Sequence, residues 1–253
     1  MNHIKNTTVV VVKPRLNIPA RKTTIIKQSL LIFCCNLGFT VTPNAHATAF
    51  KVRESDSLFA VITNKAGIAA KLAHNHLITA QNYTSQIEFD EALLAKSKFI
   101  FTAPSALLEV DNKNAQQKWE ETITSLECLP SPFSDVSDSH RKEITENMLD
   151  ANQLDSKNYP EIKAEVTQVL KENMTFGKKT YPMSAQLTLT IRGKKIVRKI
   201  AAAVKQEAGV LFFEGVGRFT YEEFGFSPFS AMLGAVKNGP QFCIYVNAKA
   251  EKS

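Results

Sequence analysis

His74 and His76 flank Asn75, and on an extended chain residues i and i+2 face the same side. The two imidazoles are therefore placed to share a metal ion or the polar head of a ligand, with His140 as a third contributor. Catalytic zinc sites keep three protein ligands and one open position. The commoner role for such a pair is structural, with ring nitrogens bonded to backbone. Arg198 has the parity of Ile196 and Ile200 and so points inward or sits at a rim. An inward guanidinium is costly unless paired; a carboxylate is the commoner partner and a phosphate head group the alternative. Catalytic signatures are missing: there is no G-x-S-x-G elbow, H-E-x-x-H, P-loop or G-x-G-x-x-G. The enzymatic alternative is thus a metal-dependent or hydrolytic site of His74, His76 and His140, and the leading expectation is a non-catalytic protein with no cofactor or metal.

A second constellation lies in residues 210–222. One parity reads Leu211, Phe213, Gly215, Gly217, Phe219, Tyr221, and the other carries all the charges, Glu214, Arg218 and Glu222. The uncharged face must look inward. Glycine inside a strand marks a bend or the close approach of a ligand. Two missing side chains between aromatics would open a slot lined by Phe213, Phe219 and Tyr221, or would let a barrel bend and close. Leu189 and Ile200 are inner-face candidates on the neighbouring segments, and Phe224 and Phe226 belong to an aromatic cluster beyond the strand end.

The elements that must position these residues are mostly strands. Eight segments alternate apolar and polar residues: 51–64 with a break near Asp56, 76–90, 98–111, 161–170, 183–192, 195–206, 210–222 and 241–249. This is the pattern of antiparallel sheet with one face buried. Short connections, with Gly193 and Gly209 at tight turns, favour an up-and-down barrel over a sandwich. Two helices interrupt it. Residues 114–126 align Ala115, Trp119, Ile123 and Leu126 on one face, and 139–150 carry Ile144 and Met148 on one stripe with Asp138 as N-cap.

The amino terminus has a different composition. Residues 1–47 hold six of the 31 Lys and Arg residues and none of the 24 acidic ones, which leaves the remainder close to neutral. A near-neutral body has no electrostatic footprint for nucleic acid. The apolar run 29–41 is too short to span a bilayer as a helix but fits the core of an export signal, followed by Ala45-His46-Ala47 as an A-x-A cleavage site. The expectation is a cleaved signal peptide at 1–47, a single domain at 48–253, a periplasmic or secreted location and no membrane span. Cleavage leaves Cys128 and Cys243, which either form one disulfide or remain two buried thiols.

Four stretches together resemble the YceI-like family of secreted lipid-binding proteins: FAVITNKAGIAAKLAHNHLITA (59–80), RKEITENMLDANQLDSKNYPEI (141–162), LTLTIRGKKIVRKIAA (187–202) and FGFSPFSAMLGAVKNGPQFCIYV (224–246). Where the family carries an Asp before its last strand, this chain has Gly239-Pro240. The resemblance implies an eight-stranded antiparallel lipocalin-like β-barrel with two short helices inserted mid-chain, and a long polyisoprenoid or similar apolar lipid as the bound partner. A homodimer is compatible with the sequence. The expected ligand contacts are Phe213, Gly215, Gly217, Phe219, Tyr221, Phe224, Phe226, Leu189, Ile200, Arg198, His74 and His76.

Overall fold

A computed structural model describes residues 47–253; the expected signal peptide, apart from Ala47, lies outside the described residues. Fourteen strands and two helices follow in chain order. They are β1 (Thr48–Val52), β2 (Leu58–Ala66), β3 (His76–Ala80), β4 (Thr84–Phe89), β5 (Lys98–Pro104) and β6 (Leu108–Val110), then α1 (Lys113–Ser125) and α2 (Asp138–Leu149). After the helices come β7 (Glu161–Leu170), β8 (Met174–Phe176), β9 (Lys179–Tyr181), β10 (Met183–Ile191), β11 (Lys194–Glu207), β12 (Val210–Thr220), β13 (Ser230–Ala231) and β14 (Val236–Lys252).

The strands close an antiparallel barrel of eight staves. The path β1-β4-β5-β7-β10-β11-β12-β14 returns to its start because β14 also pairs with β1. The first three staves are each broken once. Strands β1 and β2 both pair with β14, with Val52 opposite Ala250 and Leu58 opposite Asn247, so the intervening residues bulge out as a single turn at Glu54–Asp56. Strand β3 pairs with β2 where β4 pairs with β1, and β6 pairs with β3 where β5 pairs with β4. The eight alternating segments of the sequence are thus the eight staves. The β10–β11 and β11–β12 turns place Arg192-Gly193 and Ala208-Gly209 at positive φ, the geometry of the primed hairpin turns that match strand twist.

Alternation divides the buried residues into two cores. The inner one fills the barrel with residues such as Phe50, Ile87, Leu187, Leu211 and Phe219. The outer one covers the wall formed by β2, β11, β12 and β14, where Ile62, Val216 and Tyr245 pack under Ile123 of α1, its C-cap residue Leu126 and Tyr181 of β9. Cys128 and Cys243 are bonded, with Cα atoms 6.1 Å apart, and pin the segment after α1 to the outside of β14. The N-cap of α2 is Ser137, whose hydroxyl accepts from the His140 N–H, rather than Asp138. Gly239-Pro240 does not delay the last strand: β14 starts at Val236 and passes through them with an irregularity between Asn238 and Phe242. Among the described residues no helix is long and apolar enough to cross a membrane.

Candidate functional site

The barrel encloses two compartments. The inner one, of ≈ 130 Å³, lies among Leu187, Leu189, Ile200, Phe213 and both glycines, Gly215 and Gly217. Ser85 and Glu214 are the polar residues on its border, and the Glu214 carboxylate is engaged elsewhere, accepting from Tyr181, Tyr245 and Lys179. The lining is otherwise apolar, which favours an apolar occupant. Aromatic side chains cluster at its wall: Phe59 stacks on Phe101 at 4.3 Å, Tyr83 lies against both at 4.8 Å, and Phe99 meets Phe213 at 5.3 Å. Burial pushes the Tyr83 hydroxyl up to about 12, and that hydroxyl has no hydrogen-bond partner.

The outer compartment, of ≈ 320 Å³, meets the inner one at Val61, Ile78, Leu108 and Ile162, which border both. It is built by segments far apart in sequence: His74 and His76 before and at the start of β3, Ile144 and Met148 on α2, Tyr221 and Phe226 after β12, and Phe242 on β14. Its polar groups come from several walls: Thr63, His74 and His76, His140 and Glu143 of α2, and Tyr221 and Asn238. The buried hydroxyls of Thr63 and Tyr221 lack hydrogen-bond partners, although Asn238 approaches Tyr221 without closing a bond of good geometry. Burial raises the Tyr221 hydroxyl's pKa far above its ordinary value, so it stands as a neutral donor.

The histidines are held individually. His76 Nδ1 lies 2.7 Å from Asp111 Oδ2, and the other Asp111 oxygen accepts from the Leu77 N–H and Gln116. His74 Nδ1 lies 2.8 Å from Ser134 Oγ, and the two rings sit 6.2 Å apart. Asn75 fixes the backbone between them, accepting from the Lys65 N–H and donating to the Ser131 carbonyl. His140 borders the same compartment, yet no cluster of three His, Cys, Asp or Glu among the described residues is spaced to hold a metal.

The structure brings most of the expected contacts to the cavity. Phe213, Gly215, Gly217, Leu189 and Ile200 border the inner compartment; Tyr221, Phe226, His74 and His76 border the outer one. Three expected contacts stand behind the lining instead. Phe219 and Phe224 are fully buried against Phe242, with centroids 6.0 Å away in each case. Arg198 lies over the Phe219 ring at 4.8 Å and is paired with Glu223 and the Arg218 carbonyl, so the carboxylate partner is the one realised. The glycines also differ from an open slot. A Cβ on Gly215 would meet Ile200 at 3.4 Å, an ordinary contact, but one on Gly217 would meet the Ile200 Cγ2 at 2.7 Å. Ile200 fills the space that Gly217 leaves.

Sequence reasoning missed Thr63, Phe242 and Asn238. Phe242 shares an alternating parity with Ile244 on β14 and was open to detection; the two polar residues carry no signal until the rim is assembled.

The YceI-like domain family matches residues 39–250. No curated protein matches the chain. Among solved structures, BcnA of Burkholderia cenocepacia superposes with a TM-score of 0.51 at 14% identity, covering 79% of this chain and 99% of that one. That likeness shows a shared fold. A Campylobacter jejuni YceI protein gives 0.42 at 16% identity, over 70% of this chain and 84% of that one. A polyisoprenoid binding domain from Saccharophagus degradans gives 0.45 at 7% identity, over 82% and 99%.

Proposed function

The chain belongs to the YceI-like family, and from that premise we propose that it is an exported, non-catalytic carrier for a long-chain isoprenoid or similarly apolar lipid. The observation that carries the reading is an apolar compartment inside the barrel adjoining, across Val61, Ile78, Leu108 and Ile162, a second one that also carries polar groups. A lipid chain entering the barrel gains roughly 25 cal/mol per Å² of apolar surface removed from water, before the costs of ordering. The inner compartment accepts the end of the chain. The outer one takes the remainder, and Thr63, Tyr221, His74 and His76 face the head. The unpartnered hydroxyls of Thr63 and Tyr221 support this placement, because buried polar atoms are rarely left without partners. The Cys128–Cys243 bond suits the oxidising compartment that export implies.

The test is direct binding of a polyisoprenoid alcohol to the purified protein and to Ala202→Phe, which projects a ring into the inner compartment. Binding by the parent and its loss in the variant support the proposal. Binding by neither removes it. Val197→Phe, on the exposed outer side of β11, serves as the control and retains binding.

The second reading, an enzyme, is favoured by one observation, the His76–Asp111 pair beside the outer compartment. The same aspartate bonds the Leu77 N–H and Gln116, which ties β3 to α1 and accounts for the pair structurally. Stoichiometric metal in the untagged protein, lost in His76→Ala, would establish the enzymatic reading in place of the carrier.

A further inference from the structure

At the mouth of the barrel two loops run side by side. The Ala69 N–H donates to the Ala235 carbonyl at 2.9 Å, and a Cβ on Gly67 would strike that same oxygen at 2.3 Å. Below the tips the chain is tied into a sheet: Lys237 opposes Ala66 on β2 and Ser230 on β13. The loops end in large apolar side chains that are mostly exposed. Ile68 is 98% exposed, Leu233 109%, and Leu72 and Met232 66% each. Scattered apolar surface residues need no explanation, but four on two adjoining tips form a patch.

The backbone sharpens the point. Met232 and Leu233 have φ of 50° and 54°, followed by Gly234 at 87°. The left-handed region favours Asn, Asp and Gly, and bulky residues there are unusual. Two exposed apolar residues thus occupy positions that neither packing nor local conformation favours.

Charge selects the occupant. No Asp or Glu occurs between Asp56 and Glu88 or between Glu223 and Glu251, whereas Lys65, Lys71 and Lys237 fall within those spans and around the tips. Lys71 and Lys237 are exposed, and among the described residues none of the three lysines has an ion-pair partner. The opposing rim carries one acidic residue on the compartment's border, Glu143 of α2. Apolar tips within a collar of lysines match an interface of acyl chains beneath anionic head groups. A second copy of this chain would bring the same lysines against each other.

The patch is also continuous with the cavity. Leu72, itself a tip residue, borders the outer compartment together with Ala231 and Val236. We propose that the loops 67–72 and 231–236 are a docking lip that inserts Ile68, Leu72, Met232 and Leu233 into the surface of an anionic lipid bilayer. Docking sets the barrel mouth against the membrane. That it serves to load or unload the barrel rests on the carrier reading above; the docking itself does not.

The experiment is co-sedimentation of the purified protein with vesicles of phosphatidylethanolamine and phosphatidylglycerol, and with vesicles of phosphatidylcholine alone. The variants are Leu233→Asp, with Met232→Asn as a second, and Val197→Glu on the barrel wall as a control. Asp and Asn are better suited than Leu and Met to positive φ, so these variants fold at least as well as the parent. The expected result is binding to the anionic vesicles that weakens about tenfold in Leu233→Asp, the loss expected for one large apolar side chain withdrawn from lipid. It also weakens by about fivefold in Lys71→Gln and is unchanged in Val197→Glu. No binding to anionic vesicles overturns the proposal, as does binding that Leu233→Asp leaves intact. So does sedimentation as a dimer that Leu233→Asp dissociates without any vesicle binding, which would make the lip an interface between copies. Isoprenoid binding measured on the same variants without vesicles separates the two readings. A lip variant that keeps the ligand but loses the membrane fails only in docking, and a parent that docks without binding isoprenoid fails only as a carrier.

Discussion

The Ile200 side chain occupies the place of the missing Cβ of Gly217, with its Cγ2 2.7 Å from where that atom would be. The close approach lies where β11 parts from β12. Their pairing begins at Ala201 and Val216, and Arg198 reaches across the parted ends to the Arg218 carbonyl. Glycine at 217 therefore serves packing of the wall, and Gly217→Leu does not enter open space. Overpacking of this kind costs about 1–3 kcal/mol. We expect Gly217→Ala and Gly217→Leu to lower the denaturation midpoint of ligand-free protein, and Gly215→Ala to leave it nearly unchanged. A double variant with Ile200→Ala should recover part of the Gly217→Ala loss in a double-mutant cycle. Equal losses at 215 and 217 would contradict this packing.

The disulfide closes a chain segment with a sequence separation of 115 and holds the outer core against the wall. Constraint of the unfolded chain by so long a loop is worth up to about 5 kcal/mol in the chain-entropy account. Urea unfolding of Cys128→Ser, or of the parent in reductant, should show a loss of roughly 2–5 kcal/mol. Identical midpoints with and without reductant would mean that the two cysteines do not constrain the fold.

His74 contributes a pH dependence at the mouth. Burial lowers its pKa from the ordinary 6.5, with further lowering from His76, Lys65 and His140 and an opposing pull from Asp111. The folded protein resists a proton that the unfolded chain takes up readily. Stability contributed this way is present above about pH 6.5 and is lost as pH falls toward the folded value. His74→Gln should flatten that part of the curve between pH 7 and pH 5, taking about these limits from the histidine range. A steeper curve in the variant would reverse the assignment.

The aromatic cluster at the wall of the inner compartment should limit how much chain the barrel accepts. An inner compartment of ≈ 130 Å³ is on the scale of cavities that admit a single benzene-sized group. Phe101→Ala removes a ring stacked on Phe59 and should shift preference toward longer isoprenoids in competition binding, at a stability cost of about 3–5 kcal/mol or less where neighbours collapse. Unaltered length preference would place the chain end elsewhere.

The barrel was legible because each stave alternates, and the break at Asp56 was visible as a fault in that alternation. What alternation does not disclose is which face is inside when both are apolar. In β2, Phe59 and Val61 belong with the inner core while Leu58, Ala60 and Ile62 belong to the outer one. The outer core needs α1 and the short β8–β9 hairpin to cover it, and three-residue strands leave too little pattern to detect. At the site, parity found Phe213 and Tyr221, yet placed Phe219 in the lining. The ring turns instead toward Phe242 and Phe224, a choice made by partners distant in sequence. The rim was opaque for the same reason: Thr63, Ile144 and Tyr221 meet only after the staves close and α2 folds across the mouth.

The most direct measurement of the central claim is mass spectrometry of the organic extract from protein purified from its native host, with native mass spectrometry of the intact complex. The account predicts one apolar long-chain lipid per protein, released on unfolding and reduced in Ala202→Phe. Protein that carries no lipid from its host and takes none up when isoprenoids are supplied would contradict it.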